Sequence, residues 1–192
     1  KANGQCNAEE LLSVLQAIKP DVAFVEMHQS QFDFLYQHEN VEAHALTKYR
    51  ECKIVFVDRQ VDKEAFFANE CYGRVVDYVV DASPHYLDLK IENHRGAQER
   101  GFGYLNSSEF AIKAAKILKI EDAIIGGQGD EDLIRALETW REALRRREIE
   151  MVRNIYGYCR DNICVNGVFL VGANHKAGIV SQIEKYSGTK AG

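Results

Sequence analysis

One stretch constrains the fold of this chain more than any other: Val168-Phe-Leu-Val-Gly-Ala-Asn-His-Lys-Ala-Gly-Ile179. An apolar run stops at Gly172 and restarts with helical spacing. The pattern predicts a strand over Ile163–Val171 and then a helix ending near Ser187, with His175 in its first turn. In open α/β sheets, ligands bind at the carboxyl ends of the strands. A helix start there also offers unpaired backbone N–H groups and the positive end of the helix dipole. An imidazole in that position has a physical reason to do chemistry.

Two further runs share this character. Val22-Ala-Phe-Val-Glu26 is nearly continuous in apolar residues, the signature of a strand covered on both faces. Lys53-Ile-Val-Phe-Val57 repeats it and ends in Asp58-Arg59. Between them the period changes. Asn7 followed by Glu9 and Glu10 opens a helix, and Leu11, Leu12, Val14, Leu15 and Ile18 form its apolar face. Residues 31–51 read as helical with a break near Glu39-Asn40, and Lys63–Cys71 as helical. Val75–Val80 is expected to be a strand. The alternation predicts a single α/β domain over residues 1–192, with a mostly parallel sheet and helices on both faces.

The middle of the chain breaks the rhythm. Pro84–Gly103 shows no clean period and is expected to be either a long loop or an insertion. It belongs to a region over 84–129 that also contains a helix from Asn106 to Leu118. Gly126-Gly-Gln-Gly129 reads as a linker rather than a phosphate loop, because no Gly-Lys-Ser/Thr follows and Asp130, Glu131 and Asp132 would repel a phosphate. Asp130–Arg160 reads as helical, either one helix that is long for a globular protein or two with a kink. Its apolar positions Leu133, Leu137, Trp140, Leu144, Met151 and Ile155 face a core or, alternatively, a homodimer partner.

Composition removes several function classes. The net charge of -5 over 192 residues, with no basic stripe among aromatics, argues against nucleic-acid binding. No apolar run reaches the ~18 residues a membrane span requires. The five cysteines form no C-x-x-C pair, which fits reduced thiols and a cytoplasmic setting. Lys1 stands where a Met would begin a chain, so an upstream segment is expected.

If the three strands are parallel, their polar ends share one edge: Glu26 and His28, then Asp58 and Arg59, then Asn174 and His175. Such a set could hold a divalent metal ion, with Glu26 and His175 as ligands, or run acid–base chemistry. The alternatives are plain. Asp58-Arg59 could be a surface ion pair and His28 a surface residue. His38, His44, His85 and His94 lack ligand spacing. Arg147 and Glu148 on the long helix could face the cleft or simply pair on its exposed side.

Four blocks resemble the TraB/PrgY/GumN pheromone-shutdown family, whose relatives include the Tiki metalloproteases, erythromycin esterases and ChaN-type haem-binding proteins. They are Asn7-Ala-Glu-Glu-Leu-Leu with Lys19-Pro-Asp-Val-Ala-Phe-Val-Glu26, Ile54-Val-Phe-Val-Asp-Arg59, Arg147-Glu-Ile-Glu-Met-Val152, and Val168–His175 with Gly178-Ile179. They stand in family order. The resemblance implies a site of Glu26, Asp58, Arg59, Arg147, Glu148 and His175. The family also opens with a strand ending in Gly-x-x-His, which nothing before Asn7 supplies.

The implied activity is hydrolysis of a peptide or ester bond, metal-assisted or not. Arg59 and Arg147 would hold an anionic group. The alternative is a non-catalytic protein that binds a peptide, haem or another small ligand in the same cleft. Fold likeness does not select between them.

Overall fold

The computed structural model describes residues 5–38, 40–59 and 63–188. Lys1–Gly4, where the upstream segment would join, and Glu39, half of the expected helix break, lie outside these residues.

Three short strands, β1 (Val22–Val25), β2 (Lys53–Phe56) and β3 (Gly167–Leu170), form a parallel sheet in the order β2-β1-β3. Phe24 stands opposite both Val55 and Phe169. The apolar run at 22–25 therefore becomes the central strand, buried at every position. Its side chains alternate between two cores. Ala23 and Val25 pack with Leu11 and Leu15 of helix α1 (Ala8–Ile18) and with Leu46 of α3 (Val41–Lys48). Val22 and Phe24 pack with Met151 and Val152 of α7 (Glu131–Asp161) and with Ile179 of α8 (Lys176–Gly188). Burial of each large side chain contributes about 1.5–3 kcal/mol.

The Asn7 cap expected from sequence forms, and Asn40 and Asp130 cap two further helices. The Asn7 side chain accepts from the backbone N–H groups of Glu9 and Glu10, each at 3.0 Å. Asn40 accepts from Ala43 N–H and starts α3 after the short α2 (Phe32–Gln37). Asp130 accepts from the N–H groups of Asp132 and Leu133 and starts α7.

The middle of the chain corrects the sequence reading. Val75–Val80 is not a strand but part of α4 (Lys63–Ala82). Val75 and Val79, four apart, share one buried helical face that meets Leu133 and Leu137. Pro84–Gly103 is not a loop: it lies in α5 (Pro84–Leu105), opened by Ser83 as cap and Pro84 in the first turn. Gly101 breaks α5 with φ 60° and ψ −147°, a conformation that glycine adopts at little cost. The kink delivers Phe102 N–H to the Glu10 carboxylate.

α6 (Ser108–Gln128) runs ten residues beyond the expected Leu118, so Gly126–Gln128 lie within a helix rather than a linker. Gly129 ends it in the left-handed conformation. The 84–129 region is thus an antiparallel helix pair seated on α4 and α7. Ile163 and Val165, expected inside the third strand, are 89% and 84% exposed, and pairing begins only at Gly167.

The class is mixed α/β, but helix dominates the described residues and the sheet is small. A mostly parallel sheet therefore overstates it. Leu133, Leu137 and Met151, candidates for a dimer surface, are buried within this chain as α7 packs on α4 and α8. Among the described residues, no helix is long and apolar enough to cross a membrane.

Candidate functional site

Parallel pairing brings the three strand ends to one edge. β1 ends at Glu26, β2 runs through Val57 into Asp58, and β3 runs into Gly172 and the short 3-10 turn Ala173–His175. α7 crosses this edge. The Asn154 side-chain amide donates to Val57 O at 2.9 Å, and Arg147 and Glu148, two turns earlier, point into the site.

The five side chains form one continuous chain of charge. Asp58 binds the Arg147 guanidinium through both of its oxygens. Arg147 Nη2 also donates to Glu26 Oε1 at 2.9 Å. That same oxygen lies 3.0 Å from His175 Nε2. On the other side of the ring, His175 Nδ1 lies 3.0 Å from Glu148 Oε1. Gly172 N–H donates to Glu26 Oε2 at 2.6 Å, so the turn at the end of β3 anchors the carboxylate at the end of β1.

An ionised carboxylate only accepts hydrogen bonds. An imidazole between two of them satisfies both contacts only when both nitrogens carry protons. The ring is 6% exposed, and burial works against its charge. The hydrogen bonds to Glu148 and Glu26, with the charge of Glu26, overcome burial and the repulsion of Arg147. They push the His175 pKa up to about 9. For Glu26, burial favours the neutral acid, yet His175, Gly172 N–H and Arg147 hold its pKa below the ordinary glutamate value. Burial also works against the Arg147 charge, but Asp58 and Glu26 outweigh it and raise that pKa.

The remaining candidates fall outside this chain of contacts. Arg59 N–H donates to Asp58 Oδ1, but the Arg59 side chain turns toward Glu150, 4.0 Å away. The His28 ring accepts from Ser30 N–H and caps the 3-10 turn Gln29–Gln31. His85 and His94 sit exposed along α5.

A divalent ion does not fit these residues as they stand. Both His175 nitrogens and both Glu26 oxygens are already engaged. Among the described residues, no three His, Cys, Asp or Glu side chains are arranged to hold an ion.

Two features escaped the sequence reading. Gly178 faces Glu148 so closely that any side chain there would collide with the Glu148 carboxylate. Far from the strand ends, the fully buried Glu121 of α6 accepts the hydroxyls of Tyr72 at 2.7 Å and Tyr86 at 2.8 Å. Glu121 lay beyond the expected end of that helix at Leu118, so no signal in the sequence pointed to that contact.

The fold and site define a small parallel α/β protein with a buried imidazole held between carboxylates at the sheet edge. Comparison of the chain with protein-family models, with curated proteins and with solved structures finds no match.

Proposed function

We propose that this chain is a hydrolase acting on a peptide or ester carbonyl, with His175 as the group that moves the proton. The observation that carries the reading is the double clamp on His175: Glu148 fixes the ring at Nδ1 and Glu26 faces Nε2. An imidazole oriented by a buried carboxylate, at the carboxyl edge of a parallel sheet, is the arrangement acid–base catalysis requires. The four sequence blocks that resemble the TraB/PrgY/GumN group support the same reading.

At neutral pH the ring is an imidazolium and serves as the acid toward a leaving group. It becomes a base as the pH approaches about 9. At 3.0 Å no water fits between Nε2 and Glu26 Oε1, so water or substrate reaches Nε2 only when that contact opens. Arg147 and Gly172 N–H keep the Glu26 carboxylate in place when it does. Arg147, engaged by Asp58 and Glu26, orients the site rather than gripping substrate.

The test is hydrolysis of activated esters and of a mixed peptide library by the wild type, His175→Ala and Glu26→Gln. Both variants are expected to lose activity on any substrate the wild type cleaves. Full activity in both overturns the assignment.

One observation favours a second reading, a binding protein without catalysis. A cavity of about 770 Å³ opens beside Gly172 and Lys176, on either side of His175 in the chain. That volume suits a drug-sized ligand with an apolar body. Haem would produce a Soret shift on titration, and no spectral change removes haem from this reading.

A further inference from the structure

β3 is an edge strand. Among the described residues it pairs with β1 alone. Its contacts with β1 run through even-numbered positions: Glu26 N–H donates to Leu170 O, and Asp21 N–H donates to Asn166 O. The N–H and C=O of one strand residue point to the same side, and successive residues alternate. Phe169 and Val171 therefore direct their backbone groups away from the sheet. No described residue pairs with them through the backbone.

This edge is half-buried over Val168–Val171 rather than fully open to solvent. All four residues Val168–Val171 line the 770 Å³ cavity, and so does Gly172. Side chains of consecutive strand residues point to opposite faces. A cavity touched by every residue in a row runs along the backbone edge, not over one face. Leu11, Val14 and Ile18 of α1 and Phe102 and Leu105 of α5 give the cavity apolar walls, and His38, Glu42 and Lys176 add polar groups to its lining. The outward amides of Phe169 and Val171 thus border a half-open cavity with apolar walls, where a backbone group without a partner costs more than in open solvent.

We propose that this edge is a strand-addition subsite that takes an extended peptide. The unpaired groups name the occupant. An acyl chain or a flat apolar ring would fill the space but leave both sets of backbone groups without partners. An extended peptide completes the ladder and sets alternate side chains against the apolar walls, the mode known as β-augmentation. The edge leads to Gly172 and the turn that carries His175, so a bound peptide would run toward the imidazole. The inference rests on the cavity being the substrate site of the proposed hydrolase, and it selects peptides over simple esters as the substrate class.

The probe is a short capped peptide of alternating valine and threonine, compared with the same peptide N-methylated at alternate amides. The methylated form keeps its side chains and loses its ladder donors. Binding is followed by amide hydrogen exchange at Phe169 and Val171. The proposal expects both amides to be protected by the plain peptide and the methylated one to bind about tenfold more weakly or worse, since at least two hydrogen bonds are lost. Val171→Pro, which removes an outward donor without touching the β1 ladder, is expected to abolish the protection.

Equal binding of the two peptides overturns the proposal in favour of an apolar ligand. No binding of either overturns it as well. Protection that rises with protein concentration in the absence of peptide assigns the edge to a second copy of the chain and also overturns it. None of these readouts needs turnover. Edge protection without hydrolysis sinks the hydrolase reading alone, and ester hydrolysis without edge protection sinks the subsite alone.

Discussion

Gly178 and Glu148 occupy one space: the carboxylate that binds His175 sits where a side chain at 178 would begin. Gly178 lies inside α8, where glycine is a poor helix former. The gain is room for a carboxylate from a different helix to reach the imidazole. Gly178→Ala should therefore do the opposite of what helix propensity predicts. Alanine adds up to ~1 kcal/mol of intrinsic helix stability, yet the clash pushes Glu148 off Nδ1. The expected result is a net loss of stability and a His175 pKa that falls toward its ordinary value, read by NMR titration. Glu148→Asp, one methylene shorter, should restore part of both in the double variant. An unshifted titration in Gly178→Ala would show that Glu148 does not control the ring.

The His175 pKa makes the fold pH-dependent in a specific window. The folded value, about 9, lies above the ordinary 6.5. A group raised on folding contributes fully below its unfolded pKa and loses that contribution as pH rises through the folded value. The wild-type urea midpoint should therefore decline between pH 6.5 and about 9. The full shift corresponds to about 3 kcal/mol at most. His175→Gln should show a flatter profile over that range. Glu26 works in the other direction. Its lowered pKa stabilises above the ordinary glutamate value and is lost in acid. Parallel midpoint profiles for the wild type and His175→Gln would sink the assignment of the alkaline decline to this ring.

Sequence carried the ends of the sheet well and its surroundings poorly. Val22–Val25 and Lys53–Phe56 were legible because a parallel central strand must be apolar on both faces. Glu26, Asp58 and His175 stood out as polar residues ending such runs. The order in which they touch was not legible, because it depends on strand register and on where a 31-residue helix, α7, crosses the sheet.

Val75–Val80 was misread because β-branched residues favour strands in isolation. In place, α7 buries Val75 and Val79 as one helical face, so packing overrides propensity. α5 was missed for the opposite reason. Its buried positions include Tyr86, Leu89, Gly96 and Tyr104, too sparse for a period, and the glycine at 96 accommodates the Tyr104 ring rather than marking a turn. Gly178 stood in the fourth block of the resemblance, but its contact with Glu148 carried no signal, since a glycine that makes room for a side chain from another helix looks like any other.

Arg147 joins two carboxylates that would otherwise repel each other. The Asp58 side chain is 5% exposed and that of Glu26 16%. Removing the guanidinium leaves both charges in a poorly solvated place. Arg147→Ala is expected to cost about 3–5 kcal/mol, as for a buried pair deprived of one partner. Arg147→Lys should recover only part, because an ammonium cannot present a planar fork to Asp58 while reaching Glu26. Denaturant unfolding of the three proteins tests this, and a loss in Arg147→Ala no larger than that of an exposed ion pair would contradict it. The double variant Arg147→Ala with Asp58→Asn should be more stable than Arg147→Ala alone.

The helical layer supplies a control that separates fold from site. Glu121 is fully buried and ties Tyr72 of α4 and Tyr86 of α5 to α6, with Arg141 of α7 at 3.8 Å. Burial comes first in raising both tyrosine pKa values, and the neighbouring carboxylate adds to it, so both hydroxyls stay protonated and keep donating. Tyr86→Phe removes one donor from a carboxylate with no access to solvent and should cost about 1–3 kcal/mol. Tyr72→Phe should cost less, because the Tyr72 side chain is only partly buried. Neither change touches the strand ends. The NMR titration of His175 and any turnover should therefore keep their wild-type pH dependence in both variants. A shifted His175 titration in Tyr86→Phe would mean that the helical layer is coupled to the sheet edge through α7, whose length spans both.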